Sequence, residues 1–294
     1  MRAEIEQAVR LLRQKDEPSL DEALALLQNT VFSFSMKVCG QKQDAEDTTQ
    51  EVLLQSLTKL SKFESPRALV VWLYKVAKTR CLMSRRKRKF APKETLSLED
   101  LMPDKKELAG FAQKTAENPE TAAVRRENAK RLRDAVQKLP PEYRIVLVLR
   151  DMEELSDSDV AEITGLKPGT VRVRLHRARL FLRKELEKSD AVKKSPRLPA
   201  TASEPRPRER RCKEMFAQLS DYLDEELDSS LCEELERHMD GCEPCQAFLA
   251  SLQRSIEQCR KIPAESMNPK LASEIRRILL SQYQSALANR PTHV

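Results

Sequence analysis

Residues 139–186, LPPEYRIVLVLRDMEELSDSDVAEITGLKPGTVRVRLHRARLFLRKEL, carry the pattern that decides the reading of this chain. Ser156-Asp157-Ser158-Asp159 supplies capping residues ahead of a short helical run, Val160-Ala161-Glu162-Ile163, which stops at Thr164-Gly165. A second helix is expected from Pro168, because the missing proline N–H costs nothing in a first helical turn. Ala161, Gly165 and Val171 fall where a helix-turn-helix needs a small residue, a left-handed turn and a β-branched lock. Thr170, Arg172, Arg174, His176, Arg177 and Arg179 lie on that second helix, the one such a motif inserts into a DNA major groove. A helical hairpin with a solvated basic face is the simpler alternative. Turn glycine, first-turn proline, apolar spacing and basic second helix agree in favouring DNA.

The rest of the chain extends this helical reading. With 294 residues there is room for two or three domains. Charged residues make up 34% and aromatics 4%, with five glycines, a balance that suits helix surfaces better than strands, so the fold class is all-α. The net charge of +7 is compatible with a polyanionic partner. No apolar run approaches the ~20 residues of a membrane span, and MRAEIEQAVRLLRQKDE lacks the apolar centre of a signal peptide. The expectation is a cytoplasmic chain with no membrane partner.

Domain boundaries follow composition. Residues 1–90 read as a helical domain with an apolar stripe at Leu20, Leu24, Leu27, Val31 and Phe34. Residues 91–120, with prolines at 92, 103 and 119, read as a linker, and residues 121–188 as a second helical domain. A proline-rich linker, 189–209, leads to a small module, 210–260, and a tail, 261–294, with Leu271, Ile275, Ile278, Leu279 and Tyr283 at amphipathic helical spacing. No internal repeat is evident.

The cysteines are unevenly placed. Cys39 and Cys81 stand alone, whereas Cys212, Cys232, Cys242, Cys245 and Cys259 cluster late, which in a reducing compartment suggests a metal more than disulfides. Cys212, His238, Cys242 and Cys245 form a Cys-x25-His-x3-Cys-x2-Cys array. Three thiolates and an imidazole complete a tetrahedral zinc shell with no place for a catalytic water, which argues against a zinc hydrolase. Cys232 and Cys259 fall outside the array. No catalytic residue is expected.

Both halves before residue 190 together resemble the extracytoplasmic-function class of bacterial sigma factors. The matching stretches are Asp44-Ala45-Glu46-Asp47 with Thr49-Gln50-Glu51-Val52, then Trp72-Leu73-Tyr74-Lys75-Val76-Ala77 and the basic run ending at Lys89. They continue with Leu139-Pro140, Tyr143-Arg144, Val160-Ala161-Glu162-Ile163, Gly169-Thr170-Val171 and Arg174 to Arg179. The resemblance implies two helical sigma domains and an RNA polymerase core as partner, facing Asp44, Glu46, Asp47, Gln50 and Glu51. It implies promoter DNA as the second partner. The melted downstream element would meet Trp72, with Tyr74 beside it, and Arg85, Arg86, Lys87, Arg88 and Lys89. The upstream element would meet the Thr170–Arg179 helix.

The segment containing Leu219-Ser220-Asp221-Tyr222-Leu223-Asp224-Glu225-Glu226-Leu227 resembles the zinc-binding anti-sigma fold, with Glu225 where that motif usually has glycine. Residues 221–236 carry eight acids and no base, so an intramolecular contact with the basic sigma-like surfaces, regulating them in cis, is expected. Two rivals are a helix-turn-helix regulator that recruits no polymerase and a zinc enzyme with a DNA-binding domain. The first has no use for residues 20–90; the second lacks a catalytic constellation.

Overall fold

In a computed structural model of the chain, the described residues are 3–14, 16–57, 59, 60, 63, 65–86, 95–103, 122–191, 215, 216, 218–240 and 242–288. Among them every regular element is helical, as the composition predicts. The first helices are α1 (Ala3–Gln14), α2 (Glu17–Cys39), α3 (Lys42–Leu57), α4 (Pro66–Arg86) and the single turn α5 (Leu98–Leu101). Then come α6 (Ala122–Lys138), α7 (Pro141–Leu147), a π-helical turn (Val148–Met152), α8 (Asp157–Thr164) and α9 (Pro168–Ala191). The late helices are α10 (Leu219–Leu223), α11 (Ser229–Asp240), α12 (Glu243–Arg260) and α13 (Pro269–Ala288).

The chain forms two compact units, the first made of Met1–Pro92, Val148–Lys167 and Pro263–Val294. Its centre is α2. Asp16 accepts from the Ser19 N–H at 2.9 Å to start the helix, and Gly40, at φ 77°, ends it with its N–H on Met36 O. Leu24, Leu27, Val31 and Phe34 are wholly buried, each contributing about 1.5–3 kcal/mol of transfer free energy. α1, α3, α4 and α13 pack around α2. Glu153 is buried and ties this unit together, accepting from Lys37 Nζ and from the Tyr74 hydroxyl, each at 2.7 Å. Tyr74 is therefore a core residue, its ring tilted against that of Phe34 with centroids 4.5 Å apart, and offers no free surface to a base.

Two features of this unit exceed the sequence reading. The tail helix α13 buries Ile275 and Leu279 and satisfies a polar residue in the middle of α2. Gln28 donates to Ala272 O at 3.2 Å and accepts from Arg276 at 3.1 Å. Cys39 and Cys81, which stand alone in sequence, are joined in a disulfide, because the packing of α2 on α4 brings their Cα atoms to 5.2 Å.

The second unit comprises Lys93–Leu147 and Pro168–Ile262. Arg144, 1% exposed, holds the end of α6 by donating to Val136 O at 3.0 Å and Leu139 O at 2.8 Å, carbonyls at and just past the helix end. One apolar cluster takes in Leu101, Leu180 of α9, Phe216, Leu219, Leu235, Phe248, Leu252 and Ile256. The cysteine-bearing helices α11 and α12 thus share a core with the basic helix α9.

Candidate nucleic-acid interface and metal cluster

The capping signals act as the sequence implies. Ser156 caps α8 by accepting from the Asp159 N–H, and Gly165, at φ 74°, closes it with its N–H on Ala161 O at 2.8 Å. Pro168 opens α9. At ~100° per residue, the expected DNA-reading residues then divide onto two faces of α9. Thr170, Arg174 and Arg177 lie on one face with the exposed Val173, and Arg174 pairs with Glu142 at 3.1 Å. Arg172, His176 and Arg179 lie on the other, in line with Arg183.

The second face is covered. Arg179 is 1% exposed, and two of its N–H groups reach the two oxygens of Asp224 at 2.7 and 2.9 Å, a bidentate buried pair. It also donates to Ser220 Oγ at 2.8 Å. One helical repeat earlier, Arg172 meets Glu226 at 3.3 Å in a solvent-exposed pair worth at most about 1 kcal/mol. Arg183 lies over the Phe248 ring at 4.2 Å and pairs with Glu187. His176 is 8% exposed, and among the described residues neither ring nitrogen has a hydrogen-bond partner. Burial pushes its pKa down to about 4, with the charges of Arg179 and Arg177 adding to the effect, so the ring is neutral near pH 7. Arg179 and His176 are buried in this conformation, and neither meets a groove without rearrangement. The sequence counted basic residues along the helix; only their angular positions separate the two faces.

The acidic residues facing α9 sit on a defined turn. α10 ends in a Schellman motif, with Glu226 N–H on Asp221 O at 2.9 Å and Glu225 N–H on Tyr222 O at 3.1 Å. Glu225 occupies the left-handed position at φ 58°, which explains why the related motif favours glycine there.

Three of the four expected metal donors meet. The side-chain donor atoms of His238, Cys242 and Cys245 lie within 4.8 Å of one another. His238 Nε2 is 3.2 Å from Cys245 Sγ, and the two sulfurs are 3.4 Å apart. Bonds of about 2.0–2.3 Å set at tetrahedral angles need spacings of roughly this size, so the donor set fits zinc. Cys242 caps α12 and Cys245 lies in its first turn, where the helix dipole favours thiolate. Cys212 lies outside the described residues. Among the described residues, Cys232 and Cys259 lie outside this cluster.

On the first unit, Trp72 is half-buried, its ring 5.7 Å from Phe63 and 4.9 Å from Lys59 Nζ. It lines an open groove of about 520 Å³ with Gln55, Lys75, Thr79, Arg80 and Met83. Arg85 and Arg86 end α4, while Lys87, Arg88 and Lys89 lie outside the described residues. On α3, Asp47 is exposed, Glu46 and Gln50 are half-buried, and Asp44 is buried. Glu51 pairs with Arg80.

Residues 24–91 match the family described as "Sigma-70 region 2" and residues 129–182 the family "Sigma-70, region 4". Residues 212–246 match the family described as "Putative zinc-finger". The chain is similar to the ECF RNA polymerase sigma factor SigW of Bacillus subtilis, 28% identical over 184 residues that cover 62% of this chain and 96% of that protein. It is also similar to the RNA polymerase sigma-H factor of Pseudomonas aeruginosa, 29% identical over 185 residues, 62% of this chain and 93% of that protein. A third relative is the ECF RNA polymerase sigma factor SigE of Mycolicibacterium smegmatis, 30% identical over 173 residues, 58% of this chain and 63% of that protein.

Proposed function

We propose that the chain is a sigma factor of the extracytoplasmic-function class, to whose members it is similar, and that it directs core RNA polymerase to its promoters under the control of its own zinc-finger segment. A sigma factor selects DNA and does no covalent chemistry, so no catalytic residue is assigned. Core polymerase and promoter DNA are the partners, and the cytoplasm is where they meet. Among the described residues no helix is long and apolar enough to cross a membrane.

The observation that carries the regulatory reading is the buried fork between Arg179 and Asp224. An arginine that can contact a phosphate or a guanine is held instead by a carboxylate of the same chain. Arg172 is engaged by Glu226 two residues further on. On this reading the acidic turn at 224–226 competes with DNA for Arg172 and Arg179, and the module has to leave before they reach a groove. Thr170, Arg174 and Arg177 remain for upstream-element contacts, while Trp72 and Arg85 to Lys89 serve the melted strand through stacking and phosphate neutralisation. Asp44, Glu46, Asp47, Gln50 and Glu51 form the polymerase-facing helix.

His238, Cys242 and Cys245, with Cys212 as the fourth ligand, hold zinc. Through these ligands the end of α11 and the start of α12 would be tied together, which would keep the face that Phe216, Leu219 and Phe248 present to α9. Run-off transcription with purified core polymerase tests the reading, comparing the full chain with one ending at Lys188. Greater activity of the shorter chain supports inhibition in cis, lesser activity makes the module a required activator, and equal activity removes the regulatory role. No promoter-dependent transcript from either chain refutes the sigma-factor assignment.

A further inference from the structure

We propose that Cys39 and Cys81 are a redox modification site, a staple written by a disulfide-class oxidant such as glutathione disulfide and then kept by burial. Cys39 is the last residue of α2 and Cys81 lies in α4. The two residues are 3% and 1% exposed, and the Thr48 hydroxyl of α3 lies 3.9 and 4.0 Å from their sulfurs. The bond therefore ties together the helices on either side of α3 in sequence and lies under α3 itself. α3 is the helix assigned here to polymerase, and α4 the one assigned to the melted strand.

The chemistry is an ordinary exchange. One cysteine thiolate attacks glutathione disulfide, forming a mixed disulfide and releasing one glutathione thiolate. The second cysteine thiolate attacks the protein sulfur of that mixed disulfide and releases the other glutathione. Two protein thiols and one glutathione disulfide become one protein disulfide and two glutathiones, which carry the two protons. Because neither sulfur is open to solvent, oxidant and reductant reach the pair only when the first unit opens. The staple thus records the thiol balance at the time the unit folds or fluctuates open, and folded protein resists its removal.

The consequence is persistence of the first unit. The bond closes a loop between residues 42 apart in sequence, and chain entropy for such a loop lowers the unfolding constant by roughly 100- to 1000-fold. The test uses the full chain incubated with glutathione disulfide or with dithiothreitol, each with and without a brief denaturing pulse. The samples are then alkylated, digested and mapped by mass spectrometry.

A linked Cys39–Cys81 peptide should form far faster through the pulse. Cleavage of the first unit by thermolysin should be at least 10-fold slower in the oxidised sample. The double variant Cys39→Ala/Cys81→Val, which stays apolar and foldable, should be cleaved at the same rate under both conditions. Absence of the linked peptide after the oxidising pulse overturns the proposal. So does a linked peptide without protection, or equal protection in the double variant. Mapping by peptide keeps oxidation within the late cysteine cluster separate from this outcome.

Discussion

Removing the Asp224 carboxylate is the most direct perturbation of the proposed occlusion. The pair it makes with Arg179 is buried on both sides, the two side chains being 1% and 7% exposed. Asp224→Ala removes both carboxylate contacts from a buried guanidinium, and breaking a buried pair in this way costs about 3–5 kcal/mol. In the wild-type chain that free energy favours the closed arrangement. Losing about 3 kcal/mol of it shifts the balance toward the open form by up to roughly 100-fold. Affinity for a duplex carrying the upstream promoter element should rise by the same factor, up to the ceiling set by a chain ending at Lys188. Fluorescence anisotropy at fixed salt measures it, since phosphate contacts make any comparison across salt concentrations meaningless. Asp224→Asn, which keeps the shape and loses the charge, should give an intermediate gain. The reasoning is refuted if wild type, Asp224→Ala and the truncated chain all bind with one affinity. Tighter binding by the truncated chain alone would instead assign the occlusion to contacts other than this fork.

Four further outcomes follow from the same geometry. Arg177→Ala, on the uncovered face, should cost ~1–3 kcal/mol in promoter affinity in the truncated chain and relax selection at one base if it contacts guanine, or weaken all sequences alike if it contacts phosphate. Chelation or Cys242→Ser should release zinc and lower helicity within residues 210–260, seen by metal analysis with circular dichroism; a module that stays folded without metal contradicts the structural role. His176 has its folded pKa depressed to about 4 against 6.5 unfolded, so its contribution is complete above 6.5 and is lost as pH falls toward 4. The gap amounts to roughly 3 kcal/mol, and His176→Leu should flatten that part of the urea-stability profile between pH 7 and 4.5. Glu225→Gly should raise the melting temperature of the second unit, because glycine takes the left-handed position without the ~1 kcal/mol cost that Glu225 bears.

What was legible in the sequence was local. Ser156, Gly165 and Pro168 mark their helix ends because caps and turns are decided within a few residues. His238, Cys242 and Cys245 could be read as a ligand set because they fall within eight residues, across the end of one helix and the start of the next. The pairing of Cys39 with Cys81 was hidden, since it depends on how α2 and α4 pack across 42 residues of chain. The fate of Arg179 was hidden for the same reason. Its charge and its place on a basic helix are sequence properties, but its cover comes from Asp224, 45 residues away. A reading by spacing would have come closer. Arg172, Arg179 and Arg183 repeat at seven and then four residues, a stripe that marks a packed face even when its residues are charged.

The Schellman turn joins these observations. Arg172 and Arg179, two turns apart, lie about 10 Å apart along α9. A continuous α10 would place Asp224 and Glu226 about 200° apart around its axis, so both could not address one neighbouring helix. The left-handed residue between them reverses the chain after Asp224, and the two carboxylates then meet two arginines on one line of α9. Glycine is the easier residue for that reversal. Glutamate there adds a third negative charge to the turn, beside the two carboxylates that pair with Arg172 and Arg179. If charge density at the turn matters for holding α9, Glu225→Gly should raise thermal stability and yet weaken the closed state in low salt, a split that a purely conformational role for residue 225 does not produce.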